Sequence, residues 1–187
     1  MLFLHAQGHH VGDSLAYLKD SGLTGKAAEA KELLDRFDGK IVLPVDVGLS
    51  VPGAAGVSPP AILRQDSDVE NIRKGQIWDI GPKTVERYVE VINNSHFIVM
   101  NGPAGVYEVD AFARGTKAIL EAVARSDAFS LLGGGHTISA MERFGLDKKD
   151  FGYVSLSGKA LIEYLCGQEL PGVVALNENE RAFPVGK

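Results

Sequence analysis

From Gln76 to Phe144 the chain alternates short apolar runs with amphipathic segments of helical length, and this alternation restricts the fold more than any other feature. "QIWDI" (76–80) reads as a strand, and Gly81-Pro82 makes the turn, with Pro82 suited to a first helical position. Val85, Tyr88, Val89 and Ile92 then recur at helical spacing. "HFIVM" (96–100) is the next strand, and the loop 101–110 leads to a helix near 111–125 with Phe112, Ile119, Leu120 and Val123 facing inward. "FSLLG" (129–133) is another strand, followed by a helix near 136–144. Strands and helices in this order predict an α/β fold, a Rossmann-like parallel sheet with helices on both faces and right-handed crossovers. Ligands of such sheets sit at the carboxyl ends of the strands, which directs attention to the loops after residues 47, 80, 100 and 132.

The N-terminal part is less regular. "KAAEAKELLDRF" (26–37) is rich in good helix formers, with Ala27, Ala30, Leu33, Leu34 and Phe37 along one face, and Gly39 ends the helix. "KIVLPVDVGL" (40–49) reads as a buried strand because it is nearly continuously apolar. Residues 50–76 lack helical periodicity and contain Gly53, Gly56, Pro59 and Pro60, so they read as loop plus a short β excursion. No repeat or linker divides the chain, and residues 1–187 are expected to form one domain.

Composition narrows the class. With 45% hydrophobic and 23% charged residues the chain can bury a core. The net charge of −5 and the absence of a basic stripe argue against nucleic acid as a partner. A single cysteine, Cys166, excludes an internal disulfide framework and suits a reducing, cytoplasmic setting. No window approaches the roughly 18 apolar residues of a membrane span, so no membrane partner is expected.

Two loops carry candidate chemistry. "NGPAGVYE" (101–108) packs two glycines, a proline and an asparagine around Glu108 at a strand end. Glu108 can accept hydrogen bonds from a diol such as a ribose, although a plain βα turn explains the same residues. "GGGHT" (133–137), between strand and helix, is placed to point free amides and the positive end of a helix dipole at an anion. Thr137 adds a hydroxyl for a phosphate oxygen; alternatively the glycines serve only close helix–strand packing. Ile138 stands where a dinucleotide fingerprint needs its last glycine, and the stretch is not a Walker A loop. "GLTGKA" (22–27) lacks both the glycine spacing and the hydroxyl of a P-loop, and His5 and His9 find no third zinc ligand. In "DIGPKT" (79–84), Asp79 is expected to cap the following helix or line the cleft, and Lys83 to be a solvated surface lysine.

Together these motifs resemble the C-terminal, nucleotide-binding domain of phosphoglycerate kinase. The matching stretches are "FLHAQGHHVGDSL" (3–15), "LPVDVG" (43–48), "DIGPKT" (79–84), "NGPAGVYEVDAFARGT" (101–116), "LLGGGHTISAM" (131–141) and "ELPGVVAL" (169–176). The resemblance implies phosphoryl transfer between 1,3-bisphosphoglycerate and ADP, giving 3-phosphoglycerate and MgATP. It also implies a nucleotide site lined by Asn101, Pro103, Val106 and Glu108, with Glu108 on the ribose, Ile77 against the adenine, and Gly133, Gly134, Gly135, His136 and Thr137 at the phosphates. Gly134, Gly135 and Thr137 are the candidate contacts to the moving phosphoryl group.

The chain also departs from the family pattern. Most bacterial and eukaryotic members place a Mg²⁺-holding aspartate after the three glycines; this chain has His136, as archaeal-type members do, which leaves the metal ligands unassigned. An imidazole suits hard Mg²⁺ poorly and does better as a hydrogen-bond donor to a phosphate oxygen. "SLSGKA" (155–160) aligns with a glycine-rich "STGGGA" loop and keeps only Gly158 of its three glycines. The motifs of the family's N-terminal, phosphoglycerate-holding domain do not occur, nor does the "GGAK"-type start of the nucleotide domain. The expectation is an ADP/ATP-binding half that is inactive alone and prone to self-association. The alternative is a non-catalytic nucleotide-binding module that acts only with a partner chain.

Overall fold

The computed structural model describes residues 1–52 and 62–183; the glycines and prolines read above as loop at 53–60 lie outside the described residues. The strands form two three-stranded sheets of different kinds. β1 (Asp46–Pro52) is the middle strand of an antiparallel sheet, with β2 (Ile62–Asp68) on one side and β3 (Gln76–Ile80) on the other. β4 (Phe97–Asn101), β5 (Phe129–Gly133) and β6 (Tyr153–Ser155) form a parallel sheet in that order.

The parallel sheet is the α/β unit that the alternation predicts, less its first strand, because β3 pairs antiparallel with β1 instead. α4 (Pro82–Asn93) precedes β4, α5 (Arg114–Arg125) joins β4 to β5, and α6 (Gly135–Arg143) joins β5 to β6. α5 and α6 cover one face, where Met100, Leu120, Val123, Leu132 and Met141 form the core. On the opposite face α7 (Lys159–Leu165) begins beside the carboxyl end of β5, where Leu161 meets Gly133. The other end of that face leaves Phe97, Phe129 and Tyr153 more than half exposed, with the rings of Phe97 and Phe129 stacked at 5.6 Å.

The antiparallel sheet corrects the reading of residues 40–76. The strand expected over 40–49 begins only at Asp46, and residues 40–45 carry no strand pairing among the described residues. The short β excursion is in fact β2, a seven-residue strand paired in register with all of β1, from Asp46↔Asp68 to Pro52↔Ile62. Continuous apolarity gave no sign of this, because β2 ("ILRQDSD") is mostly exposed and polar while β1 is buried only in its first half. A second core lies under this sheet. There α1 (Leu2–Ala6) and α2 (Ser14–Asp20) supply Leu4 and Leu18 against Val47 and Ile72. α3 (Ala27–Arg36) packs beside α1, and α8 (Pro171–Ala182) closes the described chain.

Candidate functional site

The register of the parallel sheet sets the first part of the site. Asn101 pairs with Gly133 and Gly133 with Ser155, so the carboxyl ends of all three strands finish in one row. The chain turns from β5 into α6 at Gly134, whose φ of 93° is strained for any side chain. Asn101 Oδ1 also lies 2.9 Å from where a Cβ on Gly134 would sit, and 3.2 Å from the corresponding point on Gly158. Three loops therefore meet around the Asn101 side chain. Gly134 offers no side-chain cap, so the first amides of α6 stay open at the positive end of the helix.

Thr137 does not face outward. Its buried hydroxyl donates to the Gly133 carbonyl (2.7 Å) and accepts the Gly102 N–H (2.8 Å). It ties the 101–108 loop to α6, which moves the candidate phosphate contact from this hydroxyl to the amides of Gly135 and His136. The His136 side chain is 78% exposed, with Nδ1 4.0 Å from Glu108 Oε1 and 3.5 Å from the Tyr107 hydroxyl. An imidazole that can donate and a carboxylate that accepts thus stand side by side at the mouth of the strand-end row.

The second part of the site is apolar. Ile77, Trp78, Pro103 and Val106 line a cavity of about 330 Å³ that Met1, Leu4, Pro44 and Val47 also border. Its volume lies at the lower end of the range of small-molecule sites. The 101–108 loop is held against β3 by the Val106 N–H, which donates to the Trp78 carbonyl (2.7 Å). From the other side the Thr116 hydroxyl accepts the amides of Ala104 (3.2 Å) and Gly105 (3.1 Å). Thr116, fully buried on α5, gave no sequence signal beyond its place in the matched 101–116 stretch.

Of the two roles expected for Asp79, the helix cap falls to Asp46, while Asp79 stands in the wall of the cavity. The cap of α4 is Asp46, whose carboxylate accepts the amides of Lys83 (3.0 Å) and Thr84 (2.7 Å). Asp79 points the other way, accepting from Arg64 Nη1 (2.7 Å), Gly115 N–H (3.0 Å) and Ile80 N–H (2.9 Å). Burial pushes the Asp79 carboxyl above its ordinary pKa, and the Gly115 amide and the Arg64 guanidinium oppose that rise. Lys83 is exposed, as expected, and pairs with Asp68 at 2.7 Å.

Among the described residues no three His, Cys, Asp or Glu side chains converge as a metal site. Among the described residues Glu108 is the carboxylate paired with His136, and the open amides are donors, so these residues do not fit a protein-built Mg²⁺ cage, which takes oxygen ligands. Two features set aside from the sequence stay apart from the site. Residues Leu23–Lys26 form a single 3₁₀ turn, and Gly8, with φ of 91°, separates His5 on α1 from His9.

Known proteins resemble this chain over nearly its whole length. The family model described as phosphoglycerate kinase matches residues 1–168. A phosphoglycerate kinase from Salinispora tropica is 43% identical over 175 residues, covering 93% of this chain and 41% of its own length. One from Thermoplasma volcanium is 39% identical over 186 residues, covering 98% of this chain and 43% of its own length. The crystal structure of phosphoglycerate kinase from Pyrococcus horikoshii OT3 superposes with a TM-score of 0.82 at 34% identity, over 97% of this chain and 44% of that one. The chain thus spans well under half the length of these relatives. No helix among the described residues is long and apolar enough to cross a membrane.

Proposed function

The chain belongs to the phosphoglycerate kinase family, and from that premise we propose that residues 1–187 act as one nucleotide-binding domain. In this reading the chain binds ADP and ATP at the carboxyl ends of β4, β5 and β6. It contributes the nucleotide half of phosphoryl transfer between 1,3-bisphosphoglycerate and ADP. One observation carries the reading: the 103–108 stretch carries both a wall of the apolar cavity and Glu108, which stands 4.0 Å from His136 in the uncapped first turn of α6.

Each part has a role in that reading. Adenine enters the cavity against Ile77, Pro103 and Val106, and Glu108 accepts from the ribose hydroxyls. The amides of Gly135 and His136, with the His136 ring, face the phosphates, while Asn101, Gly133, Gly134 and Thr137 hold the turn that presents them. The residues here would add little oxygen to a Mg²⁺ ion, so any such ion would have to be held chiefly by the nucleotide. Catalysis of phosphoryl transfer is positioning plus electrostatic stabilisation, and fixed amides at a helix start supply both.

Calorimetric titration of MgADP into the 187-residue protein tests the reading. Binding that falls about 10-fold in Glu108→Ala is expected for loss of a charge-assisted hydrogen bond. No binding, or binding indifferent to Glu108, overturns it. A coupled assay on the protein alone is expected to show no family-like turnover. The exposed Phe97, Phe129 and Tyr153 favour a second reading, a nucleotide-binding module that works only when paired with itself or another chain. A well-behaved monomer in sedimentation removes that reading.

A further inference from the structure

We infer that the buried Arg64–Asp79 pair is a positioning device for the Glu108 loop, so that recognition of the ribose depends on two side chains that never touch the nucleotide. The inference rests on the nucleotide reading of the site and adds the residues that hold its geometry.

Although Asp79 stands in the wall of the apolar cavity, its side chain has no exposed surface and only 9% of the Arg64 side chain is exposed, so neither offers an open polar group to a ligand. Their bonds converge instead on the segment that carries Glu108. At its start, Gly105 lies directly against Asp79 Oδ1, so closely that a Cβ there would overlap the carboxylate. The neighbouring Val106 N–H is fastened to the Trp78 carbonyl, one residue before Asp79 (2.7 Å). At its end, Arg64 Nη1 donates both to Asp79 Oδ2 (2.7 Å) and to the Ala111 carbonyl (2.9 Å). The guanidinium also packs over the ring of fully buried Phe112, at 5.8 Å. Asp79 then accepts the Gly115 amide (3.0 Å), near the start of α5.

Tyr107 and Glu108 are thereby slung between two anchors, residues 104–106 and residues 111–115, and both anchors bear on one ion pair. The Glu108 side chain itself is mostly exposed, with only the 4.0 Å approach of His136 beside it. Its placement therefore comes from the backbone on either side. The planar fork of Arg64 also reaches the Ile80 carbonyl (3.0 Å) and Asp66 (2.8 Å), a bonding pattern a lysine cannot reproduce. Nothing in "ILRQDSD" marks Arg64 as part of a site, because Asp79 and Ala111, the partners that matter here, lie 15 and 47 residues further along the chain.

The test compares ADP with 2′,3′-dideoxy-ADP, which lacks the hydroxyls assigned to Glu108, in the wild-type chain and in Asp79→Asn. The wild type is expected to prefer ADP by about 10-fold, the value of one good hydrogen bond to a charged group. In Asp79→Asn the ADP affinity falls by about that factor while the dideoxy analogue changes less than about 2-fold, so the preference collapses. A folded variant that weakens both nucleotides equally, or keeps the preference, overturns the inference. Should Asp79→Asn fail to fold, Arg64→Lys carries the test. It is expected to speed amide exchange at Gly105 and Val106 and to reduce the preference, and an unchanged preference refutes the positioning role. A wild-type chain that binds neither nucleotide refutes the nucleotide reading itself. A wild type that binds both equally refutes the role of Glu108 and the inference with it.

Discussion

Three adjacent glycines, Gly133, Gly134 and Gly135, look alike in sequence, yet the structure assigns them three different tolerances to a single methyl group. Gly134 has φ 93° and ψ 143°, a region open essentially to glycine, and a Cβ there would sit 2.9 Å from Asn101 Oδ1. Holding another residue in such a conformation costs about 1–3 kcal/mol. Displacing the Asn101 amide from its place between Gly134 and Gly158 brings the expected loss for Gly134→Ala to about 2–4 kcal/mol. Gly133→Ala meets Leu161 Cδ2 at 2.5 Å and the Ser157 carbonyl at 3.2 Å. The leucine can turn but the carbonyl cannot, and an overpacking cost of about 1–2 kcal/mol follows. Gly135→Ala finds nothing within 4 Å and sits in the first turn of α6. It is neutral or stabilising by up to about 1 kcal/mol, through the reduced entropy of the unfolded chain. In a chain of this size 1 kcal/mol moves Tm by roughly 2–4 °C, so Gly134→Ala should melt about 4–16 °C lower and Gly135→Ala at or slightly above the wild type. Thermal unfolding of the three variants, followed by circular dichroism, reads the order directly. Equal melting of Gly134→Ala and Gly135→Ala would refute both the turn geometry and the assignment of open amides to the start of α6.

Thr84 is fully buried, and its hydroxyl joins the Asp46 carboxylate (2.7 Å) and the amides of Val45 (3.0 Å) and Asp46 (3.1 Å). Thr84→Val strands those groups and should cost about 2–4 kcal/mol, read as a lower urea midpoint with unchanged m. Tyr88 donates to the Val42 carbonyl (2.9 Å), and burial raises its phenol pKa above the ordinary 10.0. The folded chain therefore holds that proton more tightly than the unfolded one. The stability Tyr88 contributes is present below the ordinary value and lost as pH rises through the raised one. Tyr88→Phe should lose about 1 kcal/mol at neutral pH and show a flatter decline in urea midpoint under alkaline conditions; an unchanged alkaline slope contradicts the burial of the hydroxyl.

Much of the parallel sheet was legible in advance. β5 has the bounds read from "FSLLG" and α4 starts at Pro82 as the turn chemistry indicates, whereas β3, whose bounds match "QIWDI", joins the antiparallel sheet instead. Helical spacing and short apolar runs are local properties, and in β4, α5 and α6 nothing non-local overrides them. The candidate site was suggested by the residue types at strand ends, where the 101–108 loop and the turn after β5 lie side by side. The antiparallel strand β2 was not, since an exposed polar edge strand has no apolar alternation to read.

The sequence by itself determined where the chain makes strands and helices around the site, and which residue types those strand ends offer to a ligand. Only the tertiary structure decided which groups remain free to act. The Thr137 hydroxyl is occupied by Gly133 and Gly102, Asp46 rather than Asp79 caps α4 from 37 residues away, and Arg64 crosses from β2 to hold the segment after Glu108. Periodicity reports which face of an element is buried, but a hydrogen bond between distant residues depends on how the elements stack. At this site those distant bonds determine which donors and acceptors are left open.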